Sequence, residues 1–170
     1  MQALQVKEDG VYVDATYGRG GHAQEILKSL GARGKLLVFD RDPQACDDAR
    51  RKLGKDKRVT ITQGPFSMLR HTIGSLELAG GINGILFDLG VSSPQLDDSR
   101  RGFSFRVDGP LDMRMDPNAG ESAAAWIQRA EEHEIARVIR DYGEERFAKR
   151  IARAIVRERS VEPIETTRRL

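Results

Sequence analysis

An α/β fold on a parallel sheet is predicted by three observations. Four short apolar runs recur in the first ninety residues, helical patterns separate them, and polar, glycine-bearing turns close the first and the fourth run. Strands that alternate with helices pair in parallel through crossover connections. Four strands make an incomplete sheet for a nucleotide-binding domain. The helical stretch that follows reads as an insertion, with further strands expected beyond Leu170.

Val11 to Thr16 is the first strand, and Gly18 to Gly21 is a glycine turn. His22 to Leu30 is a helix with Ala23, Ile26, Leu27 and Leu30 on one face. Leu36 to Asp40 is the second strand, followed by a helix over Pro43–Leu53 with proline in its first turn. Val59 to Thr62 is the third strand, Ser67 to Leu78 the third helix and Gly84 to Phe87 the fourth strand. Residues 92–118, rich in Ser, Pro, Gly, Arg and Asp, read as loop. Glu121 to Glu158 is helical with a break near Tyr142-Gly143. The expected division is a core over residues 1–98 and a loop plus helical domain over 99–170.

At 170 residues the chain is long enough to bury a core. Its net charge of +2 is too small to imply a nucleic-acid partner by itself. One cysteine, Cys46, excludes an intramolecular disulfide and fits a reducing compartment. No apolar run reaches the roughly 18 residues of a membrane span, and no signal-peptide pattern opens the chain. A cytoplasmic location is expected. Both ends look cut: little precedes the first strand, and Glu165 to Leu170 reads as a helix just starting.

The glycine turn carries the first chemistry. Gly18, Gly20 and Gly21 permit positive φ and close backbone approach, and the helix that follows presents free N–H groups. The pattern Gly18-x-Gly20-x-x-Ala23 also satisfies a dinucleotide fingerprint. Asp40, ending the second strand, suits either ligand because a carboxylate there can bond both ribose hydroxyls. Asp14 favours a sulfonium amino acid, which has no pyrophosphate to repel, and reads alternatively as a turn-capping acid. His22 reads equally as a ligand contact or a helix-start residue, and Phe66 as an adenine contact or a core residue.

Asp88-Leu89-Gly90-Val91-Ser92-Ser93-Pro94-Gln95-Leu96-Asp97 follows the fourth strand. At the carboxyl edge of such a sheet, where ligands bind, this block offers a carboxylate, hydroxyls and a proline-stiffened turn. Those groups suit the polarising of an amino group. The lone pair of a nucleobase amine is delocalised into the ring, and acceptors on its N–H hydrogens draw the nitrogen toward tetrahedral geometry. Asp88, Ser92, Ser93, Pro94 and Gln95 are the candidates for that work.

Three segments together resemble a known family. They are Tyr12 to His22, Asp88 to Asp97, and Arg101-Gly102-Phe103-Ser104-Phe105-Arg106 continued by Gly109 to Asp116; Tyr142-Gly143-Glu144-Glu145 extends the match. The chain is similar in these to the bacterial 16S ribosomal RNA cytosine-N4 methyltransferases of the MraW or RsmH type. The resemblance implies a Rossmann-like class I methyltransferase fold, S-adenosyl-L-methionine as methyl donor, and a helical insertion for RNA recognition. It implies as substrate a cytidine in the decoding centre of the small ribosomal subunit, and a homodimer is compatible with it. Carried over by position, the donor site comprises Gly20, Gly21, His22, Asp40, Phe66, Asp88 and Gln95, beside Asp14 and Gly18 from the turn itself. The family's segments before the first strand and after the insertion have no counterpart here.

Arg146, Lys149, Arg150, Arg153 and Arg157 recur at helical spacing, with Phe147, Ile151, Ala154 and Ile155 on the opposite, packing face. Residues 146–159 hold six basic side chains and one acidic, which suits a phosphate backbone and equally a solvated face. Arg100, Arg101, Arg106 and Arg114 are the loop candidates for RNA contact, with Asp108, Asp112 and Asp116 as competing partners. Trp126 reads as core. His71, His133 and Cys46 form no metal-like cluster, so no metal is expected. Two other readings stay open: a nicotinamide-dependent oxidoreductase, which leaves the Ser-Ser-Pro-Gln block unexplained, and a non-catalytic RNA-binding module.

Overall fold

The computed structural model describes residues 2–76 and 81–170. The chain forms two compact units, one ending at Ser92 and the other spanning Ser93–Leu170.

The first unit is a four-stranded parallel sheet in the order β3-β2-β1-β4. Its strands are β1 (Val11–Asp14), β2 (Lys35–Asp40), β3 (Val59–Gln63) and β4 (Gly84–Leu86). The central pair is buried on both sides, so β1 and β2 read as continuous apolar runs. Alternate side chains still part to opposite faces. Tyr12, Leu36 and Val38 join one cluster with Ala23, Ile26 and Leu27 of α1 (Gly21–Ser29), its C-cap residue Leu30, and Ala45, Ala49 and Leu53 of α2 (Pro43–Leu53). Val11, Val13, Leu37 and Phe39 pack on the other face with Leu69 of α3 (Leu69–Ser75). Helices on both faces of a sheet whose order reverses beside β1 make a doubly wound, Rossmann-like architecture.

The α1 and α2 boundaries follow local chemistry. Gly20 precedes α1 in the left-handed region, at φ 80°. Asp42 caps α2 by accepting from the Gln44 N–H at 2.9 Å, with proline next in the first turn. The third helix differs from expectation. A 3-10 turn over Phe66–Met68 precedes α3, which ends at Ser75. Leu78, the expected terminus, lies outside the described residues.

The second unit is built on α5 (Ala123–Arg129), α6 (Glu132–Gly143) and α7 (Ala148–Val161). Leu111, Ile127, Ala130, Ile135, Ala136, Ala152, Ile155 and Ile164 form its core, with Trp126 packed against it. The helical stretch is thus cut twice. The break at Ala130-Glu131 was not expected; a capping box between Glu131 and Glu134 starts α6 there. Two short helical pieces also interrupt the expected loop, α4 (Ser93–Asp97) and a 3-10 turn over Ser99–Arg101. Among the described residues no helix is long and apolar enough to cross a membrane.

Candidate functional site

Three carboxylates gather at the carboxyl ends of β1, β2 and β4 around the glycine turn. Asp40 holds the turn in place. Its Oδ2 accepts from the Gly18 N–H and its Oδ1 from the Asp42 N–H, both at 2.8 Å. One side chain therefore ties the end of β2 to the turn after β1 and to the start of α2. Burial raises its pKa, against backbone hydrogen bonds from Asp42, Gly18 and Arg41 that lower it.

Asp14 is fully buried at the end of β1. Its Oδ1 accepts from the Thr16 N–H at 3.2 Å, while Oδ2 has no hydrogen-bond partner among the described residues. Burial pushes its carboxyl up to about 6; the Thr16 bond and His22 oppose the shift, and the charges of Asp40 and Asp88 add to it. A buried, half-satisfied carboxylate costs stability and marks a place built for something other than stability.

Asp88 follows β4. Its N–H donates to Thr16 Oγ1 at 2.7 Å, which fixes the backbone, while the carboxylate stands 68 % exposed, 3.7 Å from His22 Nδ1. The separation from His22 and the exposure make this a weak pair. Gly18 and Gly20 both take positive φ, at 55° and 80°. A Cβ on Gly20 would run into the Tyr17 ring, whereas one on Gly18 or Gly21 would meet no atom of the described residues within 4 Å. The turn thus has a packed underside and an open upper side.

Tyr17 is the residue that sequence reasoning missed. Buried under the turn, it donates from its N–H to the Phe39 carbonyl at 2.9 Å and from its hydroxyl to Asp48 Oδ2 at 3.2 Å. Lys52 and Arg51 bind the same Asp48 carboxylate at 2.7 and 3.1 Å. A tyrosine directly before a glycine turn, with an acid on the following helix, was the available signal. Phe66 is 48 % exposed and meets Phe87 edge-on at 5.5 Å, so it is not a core residue. Ser92, the last residue of this unit, is partly buried.

On the second unit, α4 begins with exposed Ser93 and half-buried Pro94. Gln95 is buried, its amide donating to Met115 Sδ at 3.3 Å. Cys46 is buried with its thiol on the Asp40 carbonyl at 3.3 Å, and burial pushes its pKa up to about 11, which leaves it an unreactive thiol. Among the described residues no cluster could hold a metal ion.

With this geometry in place, known proteins supply the comparison. The model of the MraW methylase family matches residues 1–170. The chain belongs to that family. It is 55 % identical over all 170 residues to the ribosomal RNA small subunit methyltransferase H of Thioalkalivibrio sulfidiphilus. It is 54 % identical over the same length to the protein of that name from Hamiltonella defensa. Each match takes in 54 % of the relative, so this MraW-family chain spans about half the length of the curated relatives it matches. A solved rRNA methylase from Streptococcus thermophilus is similar in part, at 23 % identity and TM-score 0.40, over 50 % of this chain and 48 % of that one.

The basic residues of the MraW-family chain have different fates. Arg101 is buried, and its guanidinium donates to the Arg114 and Met115 carbonyls at 3.1 and 2.9 Å; contrary to expectation it braces the loop rather than facing solvent. Arg100 is held by Asp98 and Arg114 by Asp112. Asp108, expected to pair with an arginine, instead accepts from the Gly109 and Arg168 N–H groups. Arg106 is exposed and belongs to no ion pair among the described residues. On α7, Arg157 pairs with Glu158 and Arg153 lies 3.8 Å from Glu132, while Lys149 and Arg150, and Arg146 two residues before the helix, face no acid within ion-pair distance among the described residues.

Phe147 departs from its expected place on the packing face of α7. It precedes the helix as its N-cap residue and is 42 % exposed, whereas Ile151, Ala154 and Ile155 are half-buried or buried. Lys149 and Arg150 lie in the first turn, where the helix dipole disfavours cations. Lys149→Glu is therefore expected to stabilise the chain by about 0.3–1 kcal/mol. Thermal melts of the variant beside the wild-type chain test this.

Proposed function

We propose that this chain is the donor-binding and RNA-recognising part of an S-adenosyl-L-methionine-dependent methyltransferase. Its target is the exocyclic N4 amino group of a cytidine in the decoding centre of 16S ribosomal RNA, methylated in the cytoplasm. The observation that carries the reading is the buried Asp14 carboxylate, one oxygen unpartnered among the described residues, beside a glycine turn open above Gly18 and Gly21. Asp14, Asp40 and Asp88 are near enough for the charges of the latter two to act on Asp14. Such a cluster favours a cationic ligand and disfavours the pyrophosphate of a dinucleotide. This argues against the oxidoreductase alternative on the chain's own geometry.

The residues fit the donor. Gly18, Gly20 and Gly21 admit it close to the backbone, His22 opens α1 beside it, and Asp40 retains lone pairs for ribose hydroxyls. Half-exposed Phe66 offers a ring for the adenine. When bound, S-adenosylmethionine supplies an electrophilic methyl group. Asp88 would accept an N–H hydrogen of the target amine, direct its lone pair and receive the proton that methylation releases. Its anchored backbone and exposed carboxylate suit that role. The assignment of Ser92, Ser93, Pro94 and Gln95 to orienting the same amine, and of Gln95 also to donor binding, rests on the family motif. Alignment contributes on the order of several kcal/mol, and a placed base about 10²–10⁴-fold in rate. We assign residues 1–98 to donor binding and 99–170 to RNA recognition, with Arg100, Arg106, Arg114, Lys149, Arg150, Arg153 and Arg157 facing phosphates.

Calorimetric titration of the chain tests the reading. S-adenosylmethionine is expected to bind and NADH not to. Asp40→Ala is expected to weaken donor binding roughly tenfold or more through lost charge-assisted hydrogen bonds. Binding of NADH in place of S-adenosylmethionine would overturn it.

A further inference from the structure

We infer that Phe147, with Arg146 and Arg150 laid against its ring, is a stacking platform for an unpaired nucleobase of the RNA. The inference rests on the RNA-substrate reading and adds a specific recognition mode to it. The two guanidinium carbons stand 4.5 and 4.6 Å from the ring centroid, inside the roughly 6 Å range of a cation–π contact. Phe147 remains 42 % exposed although its neighbour Ala148, and Ala152 and Ile155 further along α7, are buried. Its position is set by the backbone: the Phe147 N–H donates to Glu145 Oε1 at 2.7 Å, and its carbonyl accepts from the Arg150 and Ile151 N–H groups at 2.9 and 3.1 Å.

Charge complementarity identifies the occupant. Arg146 and Arg150 lie over the ring and Lys149 follows in the first turn of α7, all three without an ion-pair partner among the described residues. A purely apolar partner would leave these three cations to be desolvated without compensation. A nucleotide satisfies both halves of the patch: its phosphate meets the cations and its base stacks on the ring or a guanidinium plane. A duplex keeps its base faces stacked on one another, so the platform selects unpaired nucleotides.

Anisotropy titrations of the chain with a fluorescein-labelled single-stranded 12-nucleotide RNA and a blunt 12-base-pair RNA duplex test this. Phe147→Ala and Phe147→Leu are each expected to weaken single-strand binding about tenfold, the usual size of one base–aromatic stack. Duplex binding should stay within about twofold and the salt dependence unchanged, since no charge is removed. Phe147→Trp should restore the single-strand affinity. Circular dichroism melts of each variant report whether the fold is kept. Phe147→Leu preserves the apolar contact and lacks only the π face, so wild-type affinity in that variant overturns the inference. Equal losses on both probes overturn it as well. Failure of the wild-type chain to bind either RNA overturns the RNA-substrate reading along with it.

Discussion

Asp14→Asn is expected to gain stability relative to the wild-type chain as pH rises from 4 to 7, and to lose methyl-donor binding. In the unfolded chain the Asp14 carboxyl titrates near its ordinary value of 3.8, while burial in the folded state pushes it up to about 6. Between these values the folded chain keeps a proton that the unfolded chain has released. Stability therefore falls with rising pH across this window, by about 3 kcal/mol for a shift of about two units. The asparagine does not titrate, so the difference between variant and wild type grows by that amount and levels off above pH 6. Chemical denaturation of both chains at pH 4, 5, 6 and 7 measures it. A flat difference would show that the carboxyl is not destabilised by burial. The same ionisation governs function: a cationic donor prefers the charged carboxylate, so wild-type donor affinity should weaken as pH drops below 6. The variant should be at least tenfold weaker at pH 7 and insensitive to that pH change.

Asp88→Ala, placed in a full-length protein carrying this sequence, is expected to reduce methylation of small-subunit RNA by about 10²–10⁴-fold. Donor binding should change far less, because the Asp88 carboxylate is largely exposed and its tie to the fold is the backbone N–H to Thr16. A single-turnover methyl-transfer assay beside a donor titration separates the two effects. Near-normal turnover would remove Asp88 from the reaction.

Much of the first unit was legible in the chain. Apolar runs of four to six residues with helical patterns between them can be buried only as parallel strands under crossover helices, and β1, β2, α1 and α2 lie where those patterns placed them. Glycine at Gly20 and proline at Pro43 mark helix starts because their backbone constraints act locally. The second unit was less legible. Its loop residues gave no periodicity from which to read α4, and the capping box that divides α5 from α6 lay inside an unbroken helical pattern. Phe147 fitted the apolar stripe of α7 by spacing, yet it lies one residue before the helix begins, where helical spacing no longer fixes the direction of a side chain.

The polar residues divide along the same line. Sequence alone placed Asp14, Asp40 and Asp88 at strand ends and therefore on one edge of the sheet, since parallel strands carry all their carboxyl ends to one side. Their separate tasks were decided by tertiary contacts. Asp40 became the clamp on the glycine turn, Asp14 a buried carboxylate with one oxygen unpartnered among the described residues, and Asp88 an exposed one. Likewise, four loop arginines that read alike became a buried brace, two members of local ion pairs and one exposed cation. Burial and hydrogen-bond partners depend on residues distant in the chain, so a motif can name the chemical groups while the packed fold sets what each can do.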